Sequence, residues 1–297
     1  MPQQWREFRY SKEECIESGR VILAGLTVAY FCLLVAGIAY IVHLLRGRRI
    51  IGYGATVISF LGLVALSVGL ILRGIESGHW PLASTYEFSL VFVWGIVLIY
   101  LLLERVMGTR EGGAFALPIA FLLYTYARFV IPDSAQAPQP LLPALRSLWL
   151  QLHVGTAAIA YGAFAVACGG GVMYLVGEFA SRQRGAGGSG LPSLPLSDRF
   201  TYWAVAFGYP FMSLAILTGA IWAQVAWGRY WGWDVKETWA LITWLIYTLF
   251  LHLRAIRGWR GRPVAVLSIV GFVVVLFTFL GVGWLARRVG LESLHVY

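Results

Sequence analysis

Residues 227–239 read WGRYWGWDVKETW and lead straight into the apolar run of 238–256. Trp227, Tyr230, Trp231, Trp233 and Trp239 crowd this one connection, with Asp234, Lys236 and Glu237 set among them. Large rings bring wide apolar area at little cost in rotamer freedom and favour places with one wet and one greasy edge. Two readings follow: a flat, partly buried platform for a flat hydrophobic ligand, or part of the aromatic belt that membrane proteins carry at headgroup level. A belt scatters its rings over several helix ends, whereas here they sit in one short segment with charges of both signs, which favours the platform.

The apolar run that follows is one of many. The chain has 297 residues, 59% hydrophobic and 12% charged, with a mean hydropathy of +0.73. Stretches of about twenty apolar residues match the thickness of a bilayer core at helical rise, and helices satisfy every backbone polar group inside lipid. An all-α, polytopic integral membrane protein is expected, a single transmembrane domain over 1–297. Eight spans are expected at about 21–43, 51–73, 88–104, 114–131, 149–178, 202–226, 238–256 and 264–285, which puts both termini on one side.

The formal net charge of +9 has the size of a nucleic-acid signal, but its residues sit in short loops between spans and read as topology. Arg46, Arg48 and Arg49, then Arg105 and Arg110, then Arg182, Arg184 and Arg199, then Arg254, Arg257, Arg260 and Arg262 fall in alternate loops. By the positive-inside rule those loops are cytoplasmic. The loops at 74–87, 132–148 and 227–237, and both termini, are therefore expected on the extracytoplasmic side. The Gly-, Ser- and Pro-rich stretch GAGGSGLPSLPLSD at 185–198 reads as a flexible connection within the cytoplasmic loop 181–199. Cys15, Cys32 and Cys168 are isolated, with neither a C-x-x-C pair nor metal-ligand spacing. The polar first twenty residues hold no cleavable signal peptide, so the first span is expected to direct insertion.

Charged and histidine side chains mark positions to explain. In SGHWPLASTYEFSL at 77–90, Glu87 enters the membrane and needs a partner, or it marks a helix start with Ser84 or Thr85 as cap. His153 and His295 are expected on the outward side, level with the aromatic segment. Neutral imidazoles on opposite faces of a haem hold its iron six-coordinate, so two such histidines beside a flat platform make a porphyrin site; the bland reading is an interfacial histidine and a solvated tail residue. His252 lies about 27 Å along the helix from Asp234 at 1.5 Å per residue, near the cytoplasmic leaflet. It either ligates a second haem there or snorkels toward Arg254. His43 reads as an interface residue, and His79 as part of a loop covering the platform.

The pattern W-G-x-x-W-x-W-D followed by x-K-E-T-W-A-L-I-T-W and L-H-x-R resembles the tryptophan-rich (WWD) signature of the haem-handling proteins of cytochrome c biogenesis. The K-E-T-W continuation is similar to the CcsA (ResC) family of system II, rather than to the CcmC or CcmF branches of system I. GHWPLASTYEFSLVFVW at 78–94, LHVGTAAIAYGAF at 152–164, SDRFTYWAVAFGYPFMSLAILTGAIWA at 197–223 and the terminal LHVY resemble family blocks in the same order. The resemblance runs from about residue 78 to the end. Two departures stand out: Gly283 lies near a position the family usually fills with Asn, and the tail reads GLESLHVY.

The resemblance implies a protein that carries haem b across the membrane, presents it on the outer face and, with a CcsB (ResB) partner, joins it to the C-x-x-C-H motif of apocytochrome c. Such a chain is a subunit of a holocytochrome c synthase. The resemblance also implies outward axial ligands at His153 and His295, an inner ligand at His252, and a cradle formed by Trp227, Trp231, Trp233 and Asp234. The target thiols would be kept reduced by a separate thioredoxin-like protein, since no paired cysteines exist here. The membrane implied is a bacterial plasma membrane ahead of a thylakoid, and nucleic acid is not an expected partner. From another class, a secondary transporter with a Trp-rich outer gate would show Gly- or Pro-broken helices and midplane charges; the chain offers little beyond Pro118, Pro210, Glu104 and Glu178.

Overall fold

The computed structural model describes residues 12–137, 145–184, 192–283 and 288, and none of these lies in a β-strand. In chain order the helices are α1 (Lys12–Arg46), α2 (Arg49–Ser77), α3 (Thr85–Met107), α4 (Gly113–Phe129), the short α5 (Asp133–Gln136), α6 (Leu148–Arg184), α7 (Leu194–Trp227), α8 (Val235–Ile256) and α9 (Arg262–Leu276). A π-helical turn, Phe277–Gly281, continues α9. Helices end where the sequence supplies a residue tolerant of the left-handed region: Gly78, Gly108 and Gly228 close α2, α3 and α7 at φ 70°, 66° and 75°.

The fold is the expected helical membrane bundle. Seven of the described helices are long and apolar enough to cross a bilayer; Gly113–Phe129, where a span at 114–131 is expected, is an apolar helix of 17 residues. Helices α6 and α7 run beyond the expected spans, so helix covers residues up to Arg184 and again from Leu194 within the expected loop 181–199.

Helix α6 is the axis of the bundle, packing against α3, α4, α7 and α9. Its small residues permit this. A Cβ on Gly162 would lie 2.7 Å from the carbonyl carbon of Gly95, so α3 and α6 meet backbone to backbone, the way small residues let helices approach in membranes. The opposite case is α8, whose apolar window is 17% buried against 72% for α6. It lies at the edge of the bundle.

Two carboxyl groups buried inside the bundle are partnered, as the cost of desolvation demands. Glu104 accepts hydrogen bonds from Tyr40 (2.6 Å), Tyr100 (2.6 Å) and Thr56 (2.5 Å), with Arg110 at 3.4 Å. Asp198 takes both arms of Arg254 (3.0 and 2.7 Å) and the Gly261 N–H (2.8 Å). These two clusters tie the α1–α2 turn to the α3–α4 turn, and the start of α7 to the end of α8, at the basic end of the molecule. His43 is buried against the α1–α2 turn, its Nδ1 3.0 Å from the Arg48 carbonyl.

Candidate functional site: an aromatic cavity at the Trp-rich end

At the other end, a cavity of about 190 Å³ opens between the segment before α3, the first turns of α6, the end of α7, the start of α8 and the π-helical turn. Its wall is mostly apolar and aromatic, and among the described residues His153 is the histidine on it.

The position of His153 is set by α7. Its Nδ1 lies 2.7 Å from the carbonyl oxygen of Ala215. A carbonyl can only accept, so Nδ1 carries the proton, and Nε2 is the nitrogen a metal would use on the neutral ring. The ring stacks near-parallel on Trp222 (centroids 6.2 Å, 16°), which is 2% exposed, and Trp227 abuts Trp222 edge-on at 4.7 Å. Gly219 completes the seat, because a Cβ there would fall 2.6 Å from Nδ1.

The α7–α8 connection is built by reciprocal capping. Asp234 Oδ1 accepts from the Lys236 N–H (2.7 Å), and Glu237 Oε2 accepts from the Asp234 and Gly232 N–H groups (3.1 and 2.8 Å). This capping box satisfies donors that a helix start leaves open. It also holds Trp233 at φ 56°, the one non-glycine residue with positive φ among those described, a conformation that costs energy and persists only where the surroundings enforce it. Trp231 packs edge-on against Trp233 (5.8 Å, 85°). The opposite wall is pinned from behind: Ser84 caps α3 by accepting from the Glu87 N–H (3.2 Å), and buried Glu87 accepts from the Ala83 N–H (2.9 Å) and pairs with Arg73 (2.9 Å). Both expectations for Glu87, a partnered charge and a helix start, hold together.

Of the expected haem-site residues, His153 and Trp231 line the cavity. Trp227 supports it through Trp222, Asp234 caps α8, and Trp233 is 70% exposed. His252 lies near the far end of α8 and faces away from the bundle. His295 lies outside the described residues. His79 bonds its own loop, Nδ1 to the Trp80 carbonyl at 2.9 Å, while Leu82 to Thr85 of the same connection reach the cavity. Sequence reasoning missed Trp222 and Gly219, which lie within the block at 197–223 with nothing to single them out, and the place of Lys236 on the cavity wall.

The residues present suit a haem. His153, its Nδ1–H fixed on the Ala215 carbonyl, would meet the iron through Nε2, the aromatic walls would meet the macrocycle, and the indole N–H of Trp231, buried without a hydrogen-bond partner among the described residues, would find an acceptor in the bound group.

Fold and cavity together define a polytopic helical membrane protein with an aromatic, histidine-bearing pocket at one end. Residues 82–289 match the cytochrome C assembly protein family, and the chain belongs to that family and to its CcsA proteins. It is 35% identical to the cytochrome c biogenesis protein CcsA of Synechococcus elongatus, over 84% of this chain and 88% of that one. It is 32% identical to CcsA of Guillardia theta over 90% and 94%, and 35% identical to CcsA of Prochlorococcus marinus subsp. pastoris over 92% of each. Among solved structures, the cytochrome c heme lyase CcmF superposes with a TM-score of 0.60 at 19% identity, over 96% of this chain and 51% of that one. The fold is shared, and this chain spans about half of CcmF.

Proposed function

We propose that this protein serves cytochrome c biogenesis by holding haem b at the extracytoplasmic face of the membrane and presenting it for covalent attachment to apocytochrome c. The observation that carries this reading is His153, locked through Nδ1 to the Ala215 carbonyl at 2.7 Å on the wall of an aromatic cavity. A ligand histidine held in this way keeps one tautomer and one ring orientation. His295 supplies the second axial nitrogen. Thr278 and Phe279, near the end of α9, line the cavity, and the twelve residues from Gly283 to His295 can span about 40 Å when extended, ample reach to return there.

His252 serves an inner station. It stands on the exposed side of α8 in line with Leu245, Leu249 and Ile256, which are 51%, 47% and 69% exposed. A ligand facing out of the bundle calls for a second ligand from another subunit, which we assign to a CcsB-type partner. At the outer site, each cysteine S–H of a reduced C-x-x-C-H segment adds across a vinyl C=C. Sulfur bonds one carbon and the proton goes to the other, with no net redox change in the addition. The protein contributes orientation, and the porphyrin contributes the chemistry. A separate thioredoxin-like protein keeps the thiols reduced, and the membrane is a bacterial plasma membrane.

The test is the absorption spectrum of the detergent-purified protein with its partner subunit. Wild type is expected to show a low-spin bis-histidine spectrum, weakened by His153→Ala or His295→Ala at one station and by His252→Ala at the other. Absence of haem from every preparation would sink the proposal and return the tryptophan cluster to a gate or a belt.

A further inference from the structure

Two donors on the cavity wall lack acceptors. Lys236 lies on the first turn of α8 and lines the cavity. Its backbone N–H bonds Asp234, but its ammonium has no hydrogen bond or ion pair among the described residues. Close by in the same connection, Trp231 also lines the cavity, and its Nε1–H is a buried donor without a partner. A cation and an unsatisfied N–H in a partly desolvated pocket are costly unless something accepts from them. The neighbouring carboxylates leave room for another acceptor: Asp234 caps the Lys236 N–H and attracts its ammonium without a direct bond to it, and Glu237 Oε2 is taken by Gly232 and Asp234.

The other cations of this end are placed differently. Arg73 is buried in its pair with Glu87, Arg128 stands 4.0 Å from Asp133, and Arg229 lies exposed with its guanidinium over Gly232. None of the three lines the cavity, whereas Lys236 does, at the positive end of the α8 dipole, where anions are favoured.

We infer that Lys236 and the Trp231 indole N–H form a carboxylate subsite in this cavity, which takes a propionate of the haem while His153 meets the iron. The inference rests on the haem reading above and deepens it. A flat macrocycle held by its iron alone can rotate about the axial bond; a fixed propionate stops that rotation and decides which edge, and so which vinyl groups, faces outward. Lys236 and Trp231 are therefore positioning residues.

The haem-stripped protein with its partner subunit is titrated with haem b and, separately, with haem b dimethyl ester, which lacks free carboxylates, following the Soret band. Wild type is expected to prefer the free acid. Lys236→Gln lowers affinity for haem b by about tenfold, the order expected for one charge-assisted hydrogen bond, and leaves the dimethyl ester unaffected; Lys236→Arg restores most of the loss. Trp231→Phe, which keeps a ring and removes the N–H, lowers haem b affinity severalfold. The low-spin spectrum of bound haem persists in all three. If Lys236→Gln binds both forms as wild type does, or loses both equally, the subsite is overturned, while a spectrum that depends on His153 leaves the haem reading standing. Failure of wild type to bind either form overturns both.

Discussion

Gly219 is where α7 lets the His153 ring approach, and its hydrogen atom separates positioning from folding. Alanine is favoured over glycine inside a helix by about 1 kcal/mol, so Gly219→Ala gains local helix stability. Its new methyl would stand 2.6 Å from His153 Nδ1 and 2.8 Å from Cε1, so the ring must leave the Ala215 carbonyl. The expected outcome is an unchanged or raised melting temperature with at least a tenfold weaker outer haem signal, the order of loss seen when the group orienting a metal-bound histidine is removed. A variant that keeps full haem binding would show that the Ala215 contact does not set the ligand. Trp222 belongs to the same seat, since it backs the imidazole and carries the position of Trp227 to it.

Helix α8 joins the two ends of the molecule. Its first turn forms cavity wall through Lys236, Glu237 and Ala240, and its far part presents Leu245, Leu249, His252 and Ile256 along one exposed ridge. Residues spaced by three and four share a helix face, so a neighbouring span covering this ridge would touch all four. Single cysteines at Leu249 or Ile256 are expected to cross-link to cysteines on a span of the CcsB-type partner. A cysteine at Phe250, which is fully buried, is expected not to, as read by a shifted band on a non-reducing gel. Cross-linking from Phe250 and not from Leu249 would place the partner elsewhere and remove the case for a shared ligand at His252.

Across the whole molecule, the chain's polar features divide between two ends. The paired carboxylates Glu104 and Asp198 hold the basic end, and the capped, tryptophan-rich α7–α8 connection closes the other. Arginine-rich loops stay cytoplasmic during insertion, so the cavity is expected to face outward. Arg229→Cys and Arg257→Cys, each in a background without other cysteines, test this in intact cells: a membrane-impermeant maleimide is expected to label the first and not the second. The reverse pattern would invert the topology and remove apocytochrome c from reach of the cavity.

Hydropathy alone established the helical bundle and its membrane setting, because about twenty apolar residues in a row leave a chain few other ways to satisfy its backbone. Local spacing likewise announced the cap at Ser84, since helix starts are settled within four residues of sequence; the capping box of Asp234 and Glu237 has the same spacing and emerged only in the structure. The motif at 227–239 pointed to a connection that walls the cavity, Trp231 included. What it could not convey is the division of labour within it. Asp234 spends its carboxylate on the helix, Trp233 turns outward at a strained φ, and Lys236 turns to the cavity. The seat of His153 was equally hidden, because Ala215, Gly219 and Trp222 lie more than sixty residues away in sequence. Only the packing of α6 on α7 brings them to the ring, and it does so through small side chains whose sole signal is the room they leave.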